Sequence, residues 1–120
     1  MSGHIALIRL PWPEPALWQN RRKHWAETAE AIRKARAFSF AVAKEQSVGR
    51  LKTQTPTLRF WFHPPDKRSR DLHNLPATQK AAIDGISDAM GCDDKGFRCI
   101  WPTEFSEPVK GGCVMVEVTE

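Results

Sequence analysis

The chain has 120 residues and a formal net charge of +4 at pH 7. A chain of this length can build one hydrophobic core, so we predict a single domain over residues 1–120. The sequence has no apolar run long enough to cross a membrane and no basic-then-apolar pattern at its start. It therefore argues against a membrane protein and predicts a cytoplasmic location.

The charge is distributed unevenly along the chain. Residues 1–80 carry fifteen Lys and Arg against six acidic residues, and residues 81–120 carry three against eight, which gives net charges of +9 and −5. A basic excess on a small domain is typical of proteins that bind polyanions, nucleic acid above all, because a cation near a phosphate releases condensed counterions. Charge alone equally allows a solvated charged surface.

The first half of the chain predicts a strand, a loop, a helix and a strand. The apolar run HIALIRL (4–10) predicts a strand that ends at a Pro-rich loop beginning with Pro11. From residue 24 to about 46, apolar residues recur every three or four positions, which predicts a long amphipathic helix. Residues 57–63 alternate apolar and polar side chains between prolines and predict a strand with one face in the core.

The second half of the chain predicts one helix and two strands. Apolar spacing over residues 76–90 predicts a shorter helix, which Gly91 ends in the left-handed conformation. Residues 97–101 and 113–120 predict strands. The order is then strand, helix, strand, helix, strand, strand. We predict an α+β fold, a two-layer sandwich with two main helices on one mixed β-sheet.

The stretch PPDKRSRDLHN places an acid within the most basic part of the chain. Asp71 follows the predicted second strand and precedes the predicted second helix, and the acidic pair Asp93-Asp94 comes just after that helix. A helix of this length separates its two ends by roughly 20 Å, so these acids can meet only if the loop after the helix returns. The cations close to Asp71 in sequence are Lys67, Arg68 and Arg70.

Carboxylates that converge near Lys and Arg suit metal-dependent hydrolysis of phosphodiesters. Mg²⁺ takes a few carboxylate oxygens together with substrate phosphate, and the cations hold the nucleic-acid backbone. The alternative is structural: Asp71 would cap a helix, and Asp93-Asp94 would form a solvated turn.

Several motifs occur in a specific order along the chain. PPDKRSRDLHNL is followed by PATQKAAIDGI and then by CDD, with LPWP near the start and a Gly-Gly pair ahead of the last strand. Together they resemble the RusA-type Holliday-junction resolvases, small phage and prophage endonucleases. The resemblance spans most of the chain and is densest from residue 64 to residue 94.

The resemblance implies a homodimeric endodeoxyribonuclease that binds four-way DNA junctions and nicks two strands of like polarity symmetrically, with Mg²⁺ or Mn²⁺. Two sites in one dimer suit a substrate with two-fold symmetry. The implied catalytic residues are Asp71, Asp94 and Lys80, the lysine lying near the scissile phosphate. The implied metal ligands are Asp71, His73, Asp93 and Asp94. The predicted DNA-binding residues are Lys67, Arg68, Arg70, Asn74, Arg21, Arg22 and Lys23.

His73 departs from the family pattern, because it stands where the family usually has its second aspartate. A neutral imidazole can ligate a divalent ion but supplies no negative charge, and it favours Mn²⁺ over Mg²⁺. We therefore expect a preference for Mn²⁺. An alternative function also stays open: a protein that has the same fold and binds DNA junctions without cleaving them, hydrolysis having been lost when His73 replaced the aspartate.

The aromatic residues divide into two groups. Trp12 and Trp18 lie in the Pro-rich loop, just before three consecutive cations, where they can insert at an unstacked junction centre or pack on a dimer partner. By their periodicity, the residues predicted to lie in the core are Trp25, Phe38, Phe60 and Phe62.

Overall fold

The structure is a computed structural model and describes residues 6–18, 25–46, 48, 51 and 53–120. Its strands are β1 (Ala6–Pro11), β2 (Thr57–His63), β3 (Arg98–Ile100) and β4 (Cys113–Thr119). They form one mixed sheet in the order β1-β4-β2-β3. Strands β1 and β2 run antiparallel to β4, and β3 runs parallel to β2.

Three α-helices occur within the described residues. They are α1 (Trp25–Glu45), α2 (Leu75–Thr78) and α3 (Lys80–Met90). Short 3-10 helices occupy Pro15–Leu17, Leu72–Asn74 and Asp94–Gly96. The predicted α+β class with one mixed sheet is confirmed. None of the described helices has the length and apolar character needed to cross a membrane.

The prediction of one continuous helix over residues 76–90 is wrong, because the helix is interrupted at Gln79. The carbonyl of Leu75, the usual acceptor for the Gln79 N–H, instead accepts a 2.6 Å hydrogen bond from Thr78 Oγ1. The Gln79 N–H then donates to the carbonyl of Pro76 at 3.1 Å, as in a tighter 3-10 turn. Helix α3 therefore starts afresh one residue later.

The sheet buries one face and exposes the other, as the alternation of its residues predicts. Ile8 on β1, Val116 on β4 and Phe60 on β2 lie side by side in register, and each is at most 1% exposed. The neighbouring rows are Ala6, Val118 and Leu58, and Leu10, Val114 and Phe62. The helices add Ala43, Ala82, Ile83, Ile86 and Ala89. The core lies between this sheet face and the helices.

Helices α1 and α3 approach each other closely where Ser39 meets Gly85. The Ser39 hydroxyl is fully buried and lies 2.8 Å from the carbonyl of Ala82, to which it donates. A Cβ at position 85 would overlap Ser39 Oγ and the Arg36 carbonyl oxygen. At the outer edge of the same contact, Arg36 forms a bidentate ion pair with Asp88, at 2.7 and 2.9 Å.

This close approach explains which aromatic residues lie in the core. Phe60 and Phe62 are buried as predicted, but Trp25 is 77% exposed and Phe38 is 47% exposed, so the prediction for these two is wrong. The buried residues of α1 are Ala31, Ser39 and Ala43. Only small side chains fit where two helix backbones come this near, so the large apolar residues of α1 point away from the contact.

We expect a Gly85→Ala substitution to destabilise the protein, although alanine is the better helix former. Helix propensity alone would raise the free energy of unfolding by up to about 1 kcal/mol, whereas overpacking against Ser39 and Arg36 should lower it by about 1–3 kcal/mol. Urea denaturation measures the sign. Ala41→Gly, on the exposed side of α1, calibrates the propensity term. A more stable Gly85→Ala protein would contradict the packing described.

Candidate active site

Asp71 caps the 3-10 helix that precedes α2. Its carboxylate accepts a hydrogen bond from the backbone N–H of His73 at 2.9 Å and another from Asn74 Nδ2 at 3.3 Å. The structure therefore shows the capping role that the structural alternative predicts for Asp71. A carboxylate offers about four lone-pair sites, and Asp71 is solvent-exposed, so capping leaves acceptor capacity for a further ligand.

Lys80, the first residue of α3, contacts two carboxylates. Its Nζ lies 2.8 Å from Asp84 Oδ1, one turn along the helix, and 2.9 Å from Asp94 Oδ2, fourteen positions along the chain. The loop after α3 therefore does return to the start of that helix. This return is the condition that the sequence set for a meeting of Asp71 and Asp94, and the contact observed is the one between Lys80 and Asp94.

These ion pairs change the acidity of both partners. Hydrogen bonds to Asp84 first, and to Asp94 second, raise the pKa of Lys80 well above its ordinary value. The hydrogen bond from Lys80 is the main cause that lowers the pKa of Asp94. The lysine stays an ammonium and the carboxylate stays ionised, although two-thirds of the Lys80 side chain is exposed to solvent.

Two glycines and a cap shape the returning loop. Gly91 ends α3 in the left-handed conformation, with φ of 72°. A Cβ at Gly96 would lie 2.7 Å from the carbonyl oxygen of Gln54, so the loop docks against that segment through a position without a side chain. Asp93 accepts a hydrogen bond from the Lys95 N–H at 2.9 Å, so it caps the 3-10 helix while its neighbour Asp94 faces Lys80.

Arg70 holds the conformation of the basic loop, residues 66–70, through hydrogen bonds inside that loop. Its guanidinium donates to Asp66 Oδ1 at 2.8 Å and to the carbonyls of Asp66 and Arg68, each at 3.0 Å. Its side chain is only 14% exposed, and its Cζ lies 5.8 Å from the Trp12 ring centre. Backbone and side-chain hydrogen bonds from Arg68 and Arg70, in that order, lower the pKa of Asp66. Lys67 and Arg68 are exposed on the outside of this loop.

The predicted residues thus fall into two groups that α2 joins. One group lies just before α2 and contains Asp71, His73 and Asn74. The other lies around the first turn of α3 and contains Lys80, Asp84 and Asp94. The predicted positions Arg21, Arg22 and Lys23 lie outside the described residues.

The carboxylates suit a divalent ion by chemistry, since Mg²⁺ is commonly bound by one or two carboxylates with waters and substrate phosphates. Among the described residues, however, no three His, Cys, Asp or Glu side chains cluster as a ready metal cage. By their chemistry, the exposed Asp71 and the half-buried Asp94 resemble ligands of an ion that water and phosphate also coordinate, and the described residues form no closed structural metal site.

Sequence reasoning missed the acidic row on α3, which consists of Asp84 and Asp88. The four-residue spacing of Lys80 and Asp84 predicts an ion pair along the helix, and the structure shows that Asp84 shares this ammonium with Asp94. Asp88, one turn further, binds Arg36 of α1. The four-residue spacing of Lys80, Asp84 and Asp88 was visible in the sequence, but the partner on α1 was not.

We expect Lys80→Met to raise the pKa of Asp94 toward its ordinary value, because the ammonium is the main group that lowers it. Carboxyl carbon NMR titration of the side chains measures this change. Arg36→Met is the matched control: it should raise the pKa of Asp88, whose carboxylate Arg36 binds, and leave Asp94 as it is. An Asp94 titration that Lys80→Met does not move would contradict the contact.

Comparison with known proteins places the chain beside one bacterial relative. No protein-family model matches it. An uncharacterized protein of Xylella fastidiosa (strain Temecula1) is 34% identical over 115 residues, which cover 93% of this chain and 74% of the relative. The chain belongs to the same family as this Xylella fastidiosa protein.

Proposed function

We propose that the protein is a metal-dependent endodeoxyribonuclease that resolves four-way DNA junctions by paired symmetric nicks, as its RusA-type motifs imply. The main support is the contact between Lys80 and Asp94. The motif assigns the lysine to the scissile phosphate and the aspartate to the distal acidic pair, and their side chains lie 2.9 Å apart across fourteen positions. Spacing along α3 alone would have kept them apart.

In this proposal Asp71 and Asp94 hold a Mg²⁺ or Mn²⁺ ion, with Asp93 and His73 as neighbouring ligands. A bound ion of this kind neutralises charge on the phosphate and lowers the pKa of a coordinated water. Hydrogen bonds within the protein hold the carboxylates in position. Asp71 is held by its cap to His73 N–H, and Asp94 is held by Lys80.

Lys80 acts as a fixed positive charge. Hydrogen bonds to Asp84 and Asp94 raise its pKa, so in the free protein it carries a positive charge at neutral pH. Its side chain is exposed enough to exchange a carboxylate for a phosphate oxygen when DNA binds. A cation at that place would stabilise the charge that develops on the phosphate as the strand is cut.

The basic loop binds the phosphates of the DNA backbone. Arg70 and Asp66 form its internal frame, and the frame presents Lys67 and Arg68 to solvent. Asn74, next to Asp71, would add a contact to the strand being cut. We further propose a cytoplasmic homodimer of two-layer α+β sandwiches, in which two equal sites meet the two-fold symmetric junction.

One observation favours a second candidate function, junction binding without cleavage. His73 stands at the second aspartate position of the motif, and its imidazole is solvent-exposed rather than gathered with Asp94 into a cluster of ligands. A protein that kept the basic loop and lost one carboxylate would bind branched DNA and leave it intact.

Cleavage of a labelled four-way junction in Mg²⁺ and in Mn²⁺ separates these functions. We expect paired symmetric nicks that matched linear duplex does not show, with higher rates in Mn²⁺. Asp71→Asn should lower the rate by about 100-fold or more, since it removes a metal ligand. His73→Asp should increase the rate in Mg²⁺.

The matched control is Asp88→Asn, because Asp88 is an exposed carboxylate on the same side of α3 that binds Arg36. Its cleavage rate should stay close to wild type. Tight junction binding without any nick, in the wild type and in His73→Asp alike, would contradict the nuclease and establish the binding protein.

A further inference from the structure

A cleft of about 200 Å³ opens between the Pro-rich segment, α1 and the junction of α2 and α3. Trp12 and Phe38 give it aromatic walls, and Leu17 closes one side. Trp12 is held in place because its ring lies near the Arg70 guanidinium, 5.8 Å away, and packs against the core. This residue therefore forms one wall of the cleft.

A buried amide faces this cleft. Gln79 lines the cleft and is 3% exposed, and its Nε2 donates to Thr78 Oγ1 at 3.0 Å. Thr78 Oγ1 uses its own hydrogen on the Leu75 carbonyl, so it can only accept from Gln79, and the amide orientation is set. Gln79 Oε1 has no hydrogen-bond partner within the described part of the chain.

That oxygen must reach open space. Every fully buried side-chain nitrogen or oxygen among the described residues has a hydrogen-bond partner, so an oxygen without one is not fully buried. Because Gln79 borders the cleft, we take the cleft as the space that Oε1 reaches. At the rim, Glu14 adds a second acceptor, and Lys34 lies 3.7 Å from it and adds a positive charge.

The cleft lies next to the proposed catalytic residues. A second depression contains both Lys80 and Asp84, and it shares Leu17 and Thr78 with the first. These two shared side chains are therefore the wall between the cleft and the ammonium that Asp84 and Asp94 bind. A DNA strand whose phosphate is at Lys80 would have a neighbouring nucleotide within reach of the cleft.

We propose that the cleft binds one nucleobase that has left the base stack at the centre of a branched DNA; this inference rests on the proposed DNA-junction function. The volume is below the roughly 300–1,000 Å³ of sites for drug-sized ligands, so it suits one ring system and excludes a dinucleotide. Aromatic walls stack on a base of any sequence. Bases at a branch point have lost a stacking neighbour, so they leave the helix more readily than paired bases in a duplex.

The polar groups indicate which edge of the base is bound. Gln79 and Glu14 both line the cleft, and the Gln79 amide oxygen, which we infer to reach the cleft, and the Glu14 carboxylate are both acceptors. An exocyclic amino group donates to both kinds of acceptor, so the cleft favours a base that carries one. Lys34 at the rim is placed to meet the phosphate of the bound nucleotide.

Fluorescence of 2-aminopurine tests the inference directly, because this base brightens when its stacking neighbour leaves the helix, and a probe that stays in the helix is not quenched by the aromatic walls of the cleft. A four-way junction with 2-aminopurine next to each branch-point base in turn is titrated with the protein, and a separate label on the junction reports binding. At one position, wild-type protein should raise the fluorescence several-fold. The matched linear duplex should show no rise.

Two variants of α1 distinguish the cleft from general distortion of the junction. Ala35→Leu fills the cleft, which Ala35 lines, and it should abolish the fluorescence rise and weaken junction binding by about tenfold, the loss expected when one stacked base is removed. Ala37→Leu adds the same atoms on the exposed side of the same helix and should behave as wild type. Gln79→Leu keeps the side-chain size and removes the acceptor, so it should also reduce the fluorescence rise. It keeps the test valid if Ala35→Leu fails to fold.

The outcomes separate this inference from the proposed function. A wild-type protein that prefers junctions but raises no 2-aminopurine signal, or an Ala35→Leu protein with an undiminished rise, overturns the base site and leaves junction binding intact. Equal binding of junction and duplex overturns the proposed function and the base site together. Conversion of a dimer into a monomer by Ala35→Leu, without DNA, would show that a second copy of the chain fills the cleft, and would also overturn the inference.

Discussion

The contact between Ser39 and Gly85 sets the position of α3, and the candidate site is built on α3. Because position 85 carries no side chain, the two helix backbones come close enough for the Ser39 hydroxyl to reach the Ala82 carbonyl. The helix then turns its apolar residues, Ile83 and Ile86 among them, into the core against the sheet. Its opposite side keeps Lys80 and the acidic row in solvent, which is where a phosphate can reach them.

The site depends on how both ends of α3 are made. At its start, the turn at Gln79 separates the helix from α2, so that Lys80 is the first residue of α3. At its end, Gly91 reverses the chain and Gly96 docks the loop, which brings Asp94 back to Lys80. Neither end contributes to the hydrophobic core in the way the middle of α3 does. The residues that shape these ends are the ones that position the charges.

The sequence predicted the strands well because burial on one face imposes a strict alternation. Strand β2 has the bounds predicted from its sequence, residues 57–63. The helices were predicted less well. A side-chain hydrogen bond from Thr78 is enough to interrupt one of them, and Phe38 is exposed because backbone proximity at Ser39 selects small residues. For the site, the sequence showed only that the acids at the two ends of the helix can meet if the loop after it returns. The binding of one Lys80 ammonium by both Asp84 and Asp94 depends on three-dimensional contacts that spacing does not encode.

The proposed nuclease requires Asp71 and Asp94 to hold one metal ion together. Paramagnetic broadening of backbone amide signals by Mn²⁺ reports which residues lie near a bound ion, and a chain of 13.6 kDa suits this measurement. We expect the signals of residues 71–74 and 93–95 to broaden together at the same low Mn²⁺ concentration, and Asp71→Asn to remove both effects. Broadening confined to one of the two segments, or centred on Asp88, would contradict the proposal.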